Sequence, residues 1–194
     1  CTPVFVDIDK ETFNIDPTLI EAQITSRTSA ILATHVFGNP CDIDAIDIIA
    51  KKYNLKVIYD GAHAFGVKYK GESIFNFGDI TTCSTHATKL FHTVEGGFVV
   101  SKNKDLMKKI AFMRNFGHNG PYEYSEVGIN GKNSELHAAV GLVNLKHIKE
   151  IKRHRKSICE GYLNNLLRDN IFLQKWNKQS NNNYSYFPLL LNDT

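Results

Sequence analysis

Apolar and polar positions along the chain switch between two periods. "PVFVDI" is a short apolar run of strand length, and "DPTLIEAQI" follows it with Asp16 placed to cap a helix and Pro17 in the first turn. "AILATHV" predicts a second strand. After the break at "FGNP", the segment "CDIDAIDIIAKKY" places Ile43, Ile46, Ile49 and Ala50 on one helical face. "LKVIYD" predicts a third strand ending on Asp60, and "VKYKGESI" a small hairpin turning at Gly71. "DITTCS" and "GGFVVS" read as a fourth and a fifth strand, with the helix "KDLMKKIAFM" after them. Strands interleaved with helices predict βαβ units, hence an α/β fold of three layers with a mostly parallel sheet covered by helices on both faces.

From about Asn133 the pattern becomes a long helix. Leu142, Leu145, Ile148, Ile151, Ile158 and Tyr162 fall three, four or seven residues apart, as one face requires, and "KRHRK" reads as its solvated outer face. "NKQSNNN" reads as a polar loop and "YSYFPLLL" as a late strand opening another layer. The division expected is a large domain over 1–165 and the start of a smaller, incomplete one over 166–194.

Composition narrows the function classes. A net charge of +3 on 194 residues is too small to suggest nucleic acid or an anionic membrane surface as partner. No apolar run approaches the roughly 18 residues of a membrane-spanning helix. The four cysteines have no C-x-x-C spacing, which suits a reducing, cytoplasmic setting. Cys83, His86, His92 and His63 match no common zinc spacing, so no metal site is expected.

In an open parallel sheet, ligands bind beyond the carboxyl ends of the strands, where loops converge. Asp60 ends the third strand and Ser84 the fourth, and Lys89 follows in the broken segment "STHATKLFHTVEGG". A carboxylate, a hydroxyl and a lysine there fill the roles that pyridoxal phosphate needs: a partner for the ring nitrogen, a phosphate donor and a Schiff-base amine. Each also has a plainer reading. Asp60 can be a helix cap, Ser84 an ordinary strand end and Lys89 a solvated loop residue, while His86 and His92 suit a hydrogen-bonded scaffold. Gly96 and Gly97 suit close passage of the backbone.

"DGAHAFGVKYKG", "FGDITTCSTHATKLFHTVEGGFVV" and "GINGKNSELHAAVG", preceded by "TSAILATHVFGNPCDIDAIDIIAKKYNLKVIYD", resemble the motifs of the DegT-like nucleotide-sugar aminotransferases, pyridoxal-phosphate enzymes of the aspartate aminotransferase fold. The resemblance covers most of residues 3 to 165. It implies that Lys89 carries the cofactor as a Schiff base and then moves the proton between substrate and cofactor carbons. It implies that Asp60 binds the pyridinium nitrogen, His63 contacts the ring or its phenolic oxygen, and Ser84 binds the phosphate. Asn130 corresponds to an Asn that reaches the neighbouring subunit's cofactor phosphate, which implies a homodimer. Lys132 stands where many members have Arg and, with His35 and Phe37, is expected on the substrate side. The implied reaction passes an amino group from glutamate to a keto group of a dTDP- or UDP-linked deoxysugar, in making amino sugars for surface polysaccharide or another glycosylated product. "ATKLFHTVEGG" and "GING" resemble the branch that acts at C4. A sugar dehydratase on the same scaffold is the alternative, disfavoured because such relatives replace the lysine with His. A non-catalytic binding or regulatory protein is another, disfavoured by the set Asp60, Ser84 and Lys89. Family members run to about twice this length, with an upstream Gly-Thr phosphate turn and ring-stacking aromatic and a downstream small domain. The chain is therefore expected to be a central, inactive portion of such an enzyme.

Overall fold

Residues 1–166 and 171–191 are described by the computed structural model. Helix α1 (Pro17–Ile20) begins where expected, with the Asp16 carboxylate accepting from the Thr18 N–H, and a 3-10 turn at Glu21–Gln23 extends it. Strand β1 (Ala30–Thr34) leads to helix α2 (Ile43–Tyr53) and strand β2 (Lys56–Asp60). Asp42 caps α2 through the Ala45 N–H, and Asn54 ends it in the left-handed conformation at φ +52°. Ile43, Ile46, Ile49 and Ala50 are the buried face of α2, and they share one core with Ile31 and Ala33 of β1 and Val57 and Tyr59 of β2. Truncating a side chain as enclosed as Ile46 to alanine costs about 2–5 kcal/mol.

Strands β3 (Lys68–Tyr69) and β4 (Glu72–Ser73) form the small hairpin. Lys70 and Gly71 both have positive φ, +50° and +84°, the backbone of a two-residue hairpin turn. Strand β5 (Ile80–Ser84), strand β6 (Gly97–Val100) and helix α3 (Lys104–Met113) follow. The main sheet has the order β1-β2-β5-β6. Strands β1, β2 and β5 run parallel, pairing Thr34 with Asp60 and Asp60 with Thr82. β6 is antiparallel to β5, with Ser84 opposite Gly97, because the connection Thr85–Gly96 holds no helix to carry the chain back to the other edge.

Three expectations are corrected. "PVFVDI" forms no strand: residues 3–8 find no ladder partner among the described residues beyond one bridge between Ile8 and Ile15, and Phe5 is 88% exposed. Helix α4 (Glu135–Leu166) exists, but it packs through Gly141, Asn144, Ile148, Lys152, Arg155 and Cys159, and the expected stripe members Leu142, Leu145, Ile158 and Tyr162 lie exposed beside that face. Nor is "KRHRK" wholly solvated, since Lys152 Nζ donates to the Gly66 carbonyl and Arg155 Nη1 to the Ser185 carbonyl. Burial lowers the pKa of Lys152, with Lys68 adding repulsion.

Near the chain's end, strands β7 (Ile171–Leu173) and β8 (Leu189–Leu191) pair antiparallel. The late strand is confined to its last three residues because Tyr184 has φ +59° and Pro188 has no N–H to offer a ladder. "NKQSNNN" is no solvated loop either: Asn183 is fully enclosed, and Asn177 and Asn181 bond across to Asn39 and Lys68. Of the expected smaller domain, residues 167–170 and 192–194 lie outside the described residues. No helix among the described residues is long and apolar enough to cross a membrane.

Candidate active site

Parallel pairing of β1, β2 and β5 sets their carboxyl ends along one edge of the sheet, with the start of β6 beside them. Asp60 is half-buried there. Its Oδ1 accepts from the Ala62 N–H at 2.9 Å, while its other oxygen has no hydrogen bond among the described residues. Ser84 ends β5, and its hydroxyl accepts from the His86 N–H at 3.3 Å.

Lys89 hangs from the connection Thr85–Gly96, whose base is closed by the backbone bond from Thr93 N–H to the Thr85 carbonyl, 2.8 Å, and by a 2.7 Å bond between the two buried hydroxyls. Phe91 stacks on Phe65 with centroids 4.4 Å apart, fastening this loop to the turn after β2. Helix α4 presses on the loop from outside. A Cβ on Gly141 would lie 2.6 Å from the Thr93 methyl, and Asn144 Nδ2 donates to the His92 carbonyl. Lys89 is half-buried, and its ammonium has neither hydrogen bond nor ion pair among the described residues.

Charge ties the cluster together. Burial lowers the His63 pKa, the Lys89 ammonium lowers it further, and the Asp60 carboxylate opposes both. Cys83, under the same edge, has its thiol pushed up to about 12 by burial, with Asp60 adding to the shift and Lys89 opposing it. That thiol stays protonated and is no nucleophile. His63 Nδ1 is buried without a partner among the described residues.

Asp60, His63, Ser84 and Lys89 are thus gathered at one edge. Phe37 joins them, its ring parallel to that of His63 at 6.2 Å between centroids. His35 does not join. It is fully enclosed, stacks on Tyr59 at 4.7 Å, and its Nδ1 accepts from the Cys41 N–H, so it belongs to the core and presents no surface to a substrate. Asn130 and Lys132 form a separate exposed pair, with Lys132 Nζ donating to Asn130 Oδ1 at 2.7 Å and lying 4.1 Å over the Phe116 ring. Asn133, just beyond, reaches back to the Gly96 turn, with Oδ1 3.4 Å from where a Cβ on Gly96 would sit.

Sequence reasoning missed Tyr186, whose ring lies 4.5 Å from His63, and the hydroxyl pair Thr85–Thr93. No local signal marks either, because each meets its partner only once the chain has folded. No cluster of His, Cys, Asp or Glu suited to a metal occurs among the described residues.

Comparison with known proteins is consistent along the whole chain. The model of the DegT/DnrJ/EryC1/StrS aminotransferase family matches residues 1–194. A dTDP-4-amino-4,6-dideoxy-D-glucose transaminase of Shigella dysenteriae is 46% identical over 97% of this chain and 52% of its own length. Its namesake of Escherichia coli is 43% identical over 99% of the chain and 52% of its own length. Among solved structures, DesI, crystallised with its TDP-sugar product, superimposes with a TM-score of 0.87 at 34% identity, over 98% of this chain and 49% of DesI. Helicobacter pylori PseC, an aminotransferase of pseudoaminic acid biosynthesis, does so with 0.91 at 26%, over 98% and 53%. The chain spans about half the length of the curated relatives it matches. With sequence and fold in agreement from end to end, this chain belongs to the DegT/DnrJ/EryC1/StrS aminotransferase family.

Proposed function

We propose that this chain carries the catalytic core of a pyridoxal-phosphate-dependent aminotransferase that moves an amino group from glutamate to the C4 keto group of a dTDP-linked 6-deoxy sugar. The observation that carries the reading is the half-buried Lys89, its ammonium unpartnered among the described residues, at the sheet edge that also holds Asp60. The two relatives at 46% and 43% identity are transaminases of a dTDP-linked 4-amino sugar, which supports the choice of nucleotide and carbon.

The residues fit the group. The free oxygen of Asp60, the hydroxyl of Ser84, the orphaned His63 Nδ1 and the unpaired Lys89 amine are all available, and each has a complementary feature on the cofactor. When bound, pyridoxal phosphate supplies an aldehyde carbon for amines and a ring that draws electrons from the substrate carbon. Asp60 keeps the ring nitrogen protonated by placing an opposite charge against it. Ser84 takes the phosphate through its hydroxyl. His63 meets the ring or its phenolic oxygen. Lys89 Nζ would be the attachment point, and its amine would be the base that moves the substrate proton. Asn130 is assigned to a second subunit's phosphate, which makes the working unit a homodimer. Lys132 and Phe37 are assigned to the substrate side.

Borohydride reduction of the complete natural protein incubated with pyridoxal phosphate, followed by peptide mass analysis, tests the reading. A phosphopyridoxyl mass on the Lys89 peptide is expected, together with its loss and the loss of transamination in Lys89→Ala. Label on another lysine would overturn the assignment.

A further inference from the structure

His63 is held by a part of the chain more than a hundred residues away. Asn183, fully enclosed, donates from Nδ2 to the His63 carbonyl at 2.8 Å and to the Phe65 carbonyl at 3.0 Å, while its Oδ1 accepts from the Ser185 N–H at 3.1 Å. One amide side chain thereby satisfies two carbonyls of the turn after β2. The fit is close: a Cβ on Gly38 would stand 2.6 Å from the His63 carbonyl oxygen and 3.0 Å from Asn183 Oδ1. The turn after β1, the turn after β2 and the segment 177–186 meet there with no room for a methyl group.

The same segment places Tyr186 against the imidazole, 4.5 Å between centroids at an inclination of 48°, and Phe37 completes a three-ring cluster at 5.5 Å from Tyr186. Its other end is tied by the bond from the Asn177 N–H to Asn39 Oδ1, and α4 backs it through Arg155 and the Ser185 carbonyl. The charged or titratable groups around the imidazole are Lys89 and Asp60 from the sheet edge and Tyr186 from this segment.

We propose that Asn183 and Tyr186 are positioning residues for the site: Asn183 fixes the backbone of the turn that carries His63, and Tyr186 fixes the inclination of its ring, so that the imidazole faces the cofactor in one orientation. This rests on the reading of His63 as a cofactor contact. Tyr186 acts through its ring alone, since its hydroxyl has no hydrogen-bond partner among the described residues. Phenylalanine should therefore replace it and alanine should not.

Proton-detected NMR of the 15N-labelled chain follows the His63 ring through a pH titration without any cofactor. In the parent chain the midpoint is expected below the ordinary histidine value, because burial and the Lys89 ammonium lower it. Tyr186→Ala, by admitting water to the ring, should raise it back toward the ordinary histidine value, while Tyr186→Phe leaves it in place. Asn183→Ala should move it in the same direction and speed exchange of the backbone N–H groups of residues 63–66. If Tyr186→Ala does not fold, Tyr186→Leu, which keeps apolar volume and loses the flat ring, serves instead. A folded Tyr186→Ala or Tyr186→Leu with an unmoved midpoint overturns the proposal. Pyridoxal phosphate affinity of the complete protein is measured alongside, and a parallel loss in Tyr186→Ala but not Tyr186→Phe supports it. Affinity indifferent to His63→Ala, with the midpoint still moving, has a different signature: it overturns the cofactor-facing role of His63, and the functional half of the proposal with it.

Discussion

Thr85 and Thr93 share a 2.7 Å hydroxyl–hydroxyl hydrogen bond beneath the loop that carries Lys89, and Thr93 Oγ1 lies a further 2.7 Å from the Glu95 carbonyl. Both side chains are buried, so neither hydroxyl has water as a fallback. Thr93→Val keeps the shape and removes the hydroxyl, stranding Thr85. It should cost about 1–3 kcal/mol in stability, read as a lower denaturant midpoint at unchanged slope. Wild-type stability in that variant would mean that the loop closes through its backbone alone.

Asp60→Asn should leave pyridoxal phosphate able to bind the complete protein while slowing removal of the substrate α-proton on the order of a hundredfold, because an amide cannot hold the ring nitrogen charged. Single-turnover absorbance with glutamate is the measurement, and an unchanged rate would make Asp60 structural.

Burial pushes the pKa of His35 down to about 3, well under its ordinary 6.5. The unfolded chain takes up this proton as pH falls through 6.5, whereas the folded chain refuses it until about pH 3. His35 therefore leaves stability intact above pH 6.5 and removes it progressively below. Between pH 7 and pH 5 the loss is about 2 kcal/mol, from 1.36 kcal/mol per unit. Denaturation at both pH values should show a smaller drop in His35→Phe, even though that variant starts lower for want of the bond from the Cys41 N–H.

Gly38 has φ +88° and no room for a methyl between the His63 carbonyl and Asn183. Gly38→Ala should destabilise the fold by about 2 kcal/mol or more through strain and collision together. The His63 ring resonances should shift with it. Thermal unfolding with an NMR spectrum of the folded variant checks both.

Much of the architecture was legible because each signal was local. The α2 face of Ile43, Ile46, Ile49 and Ala50, the cap at Asp16 and the turn at Gly71 all depend on neighbours within a few residues. Asp60, Ser84 and Lys89 were legible for a related reason: parallel strands put their carboxyl ends on one edge whatever the details of the packing. His35 was misjudged because a histidine after a strand looks the same in sequence whether it turns outward or stacks on Tyr59. The face of α4 was misjudged by rotation. Gly141, Lys152 and Arg155 gave it contacts through a missing side chain and two cations, and apolar periodicity sees neither. Asn183 ends what composition presents as a polar loop and Tyr186 lies in the stretch read as a late strand, and only tertiary contact reveals their use.

The bonds from Asn183 to the carbonyls of Phe65 and His63 span 118 and 120 positions of sequence. On the ribosome, β1, α2 and β2 can pair and bury Tyr59 as soon as they emerge, because their contacts close short loops. The turn bearing His63 must wait for a stretch that is made well over a hundred residues later. Until then the His63 and Phe65 carbonyls lack the amide that bonds them in the folded chain. The last bonds of that turn are thus among the latest to form, timed by the arrival of a single asparagine.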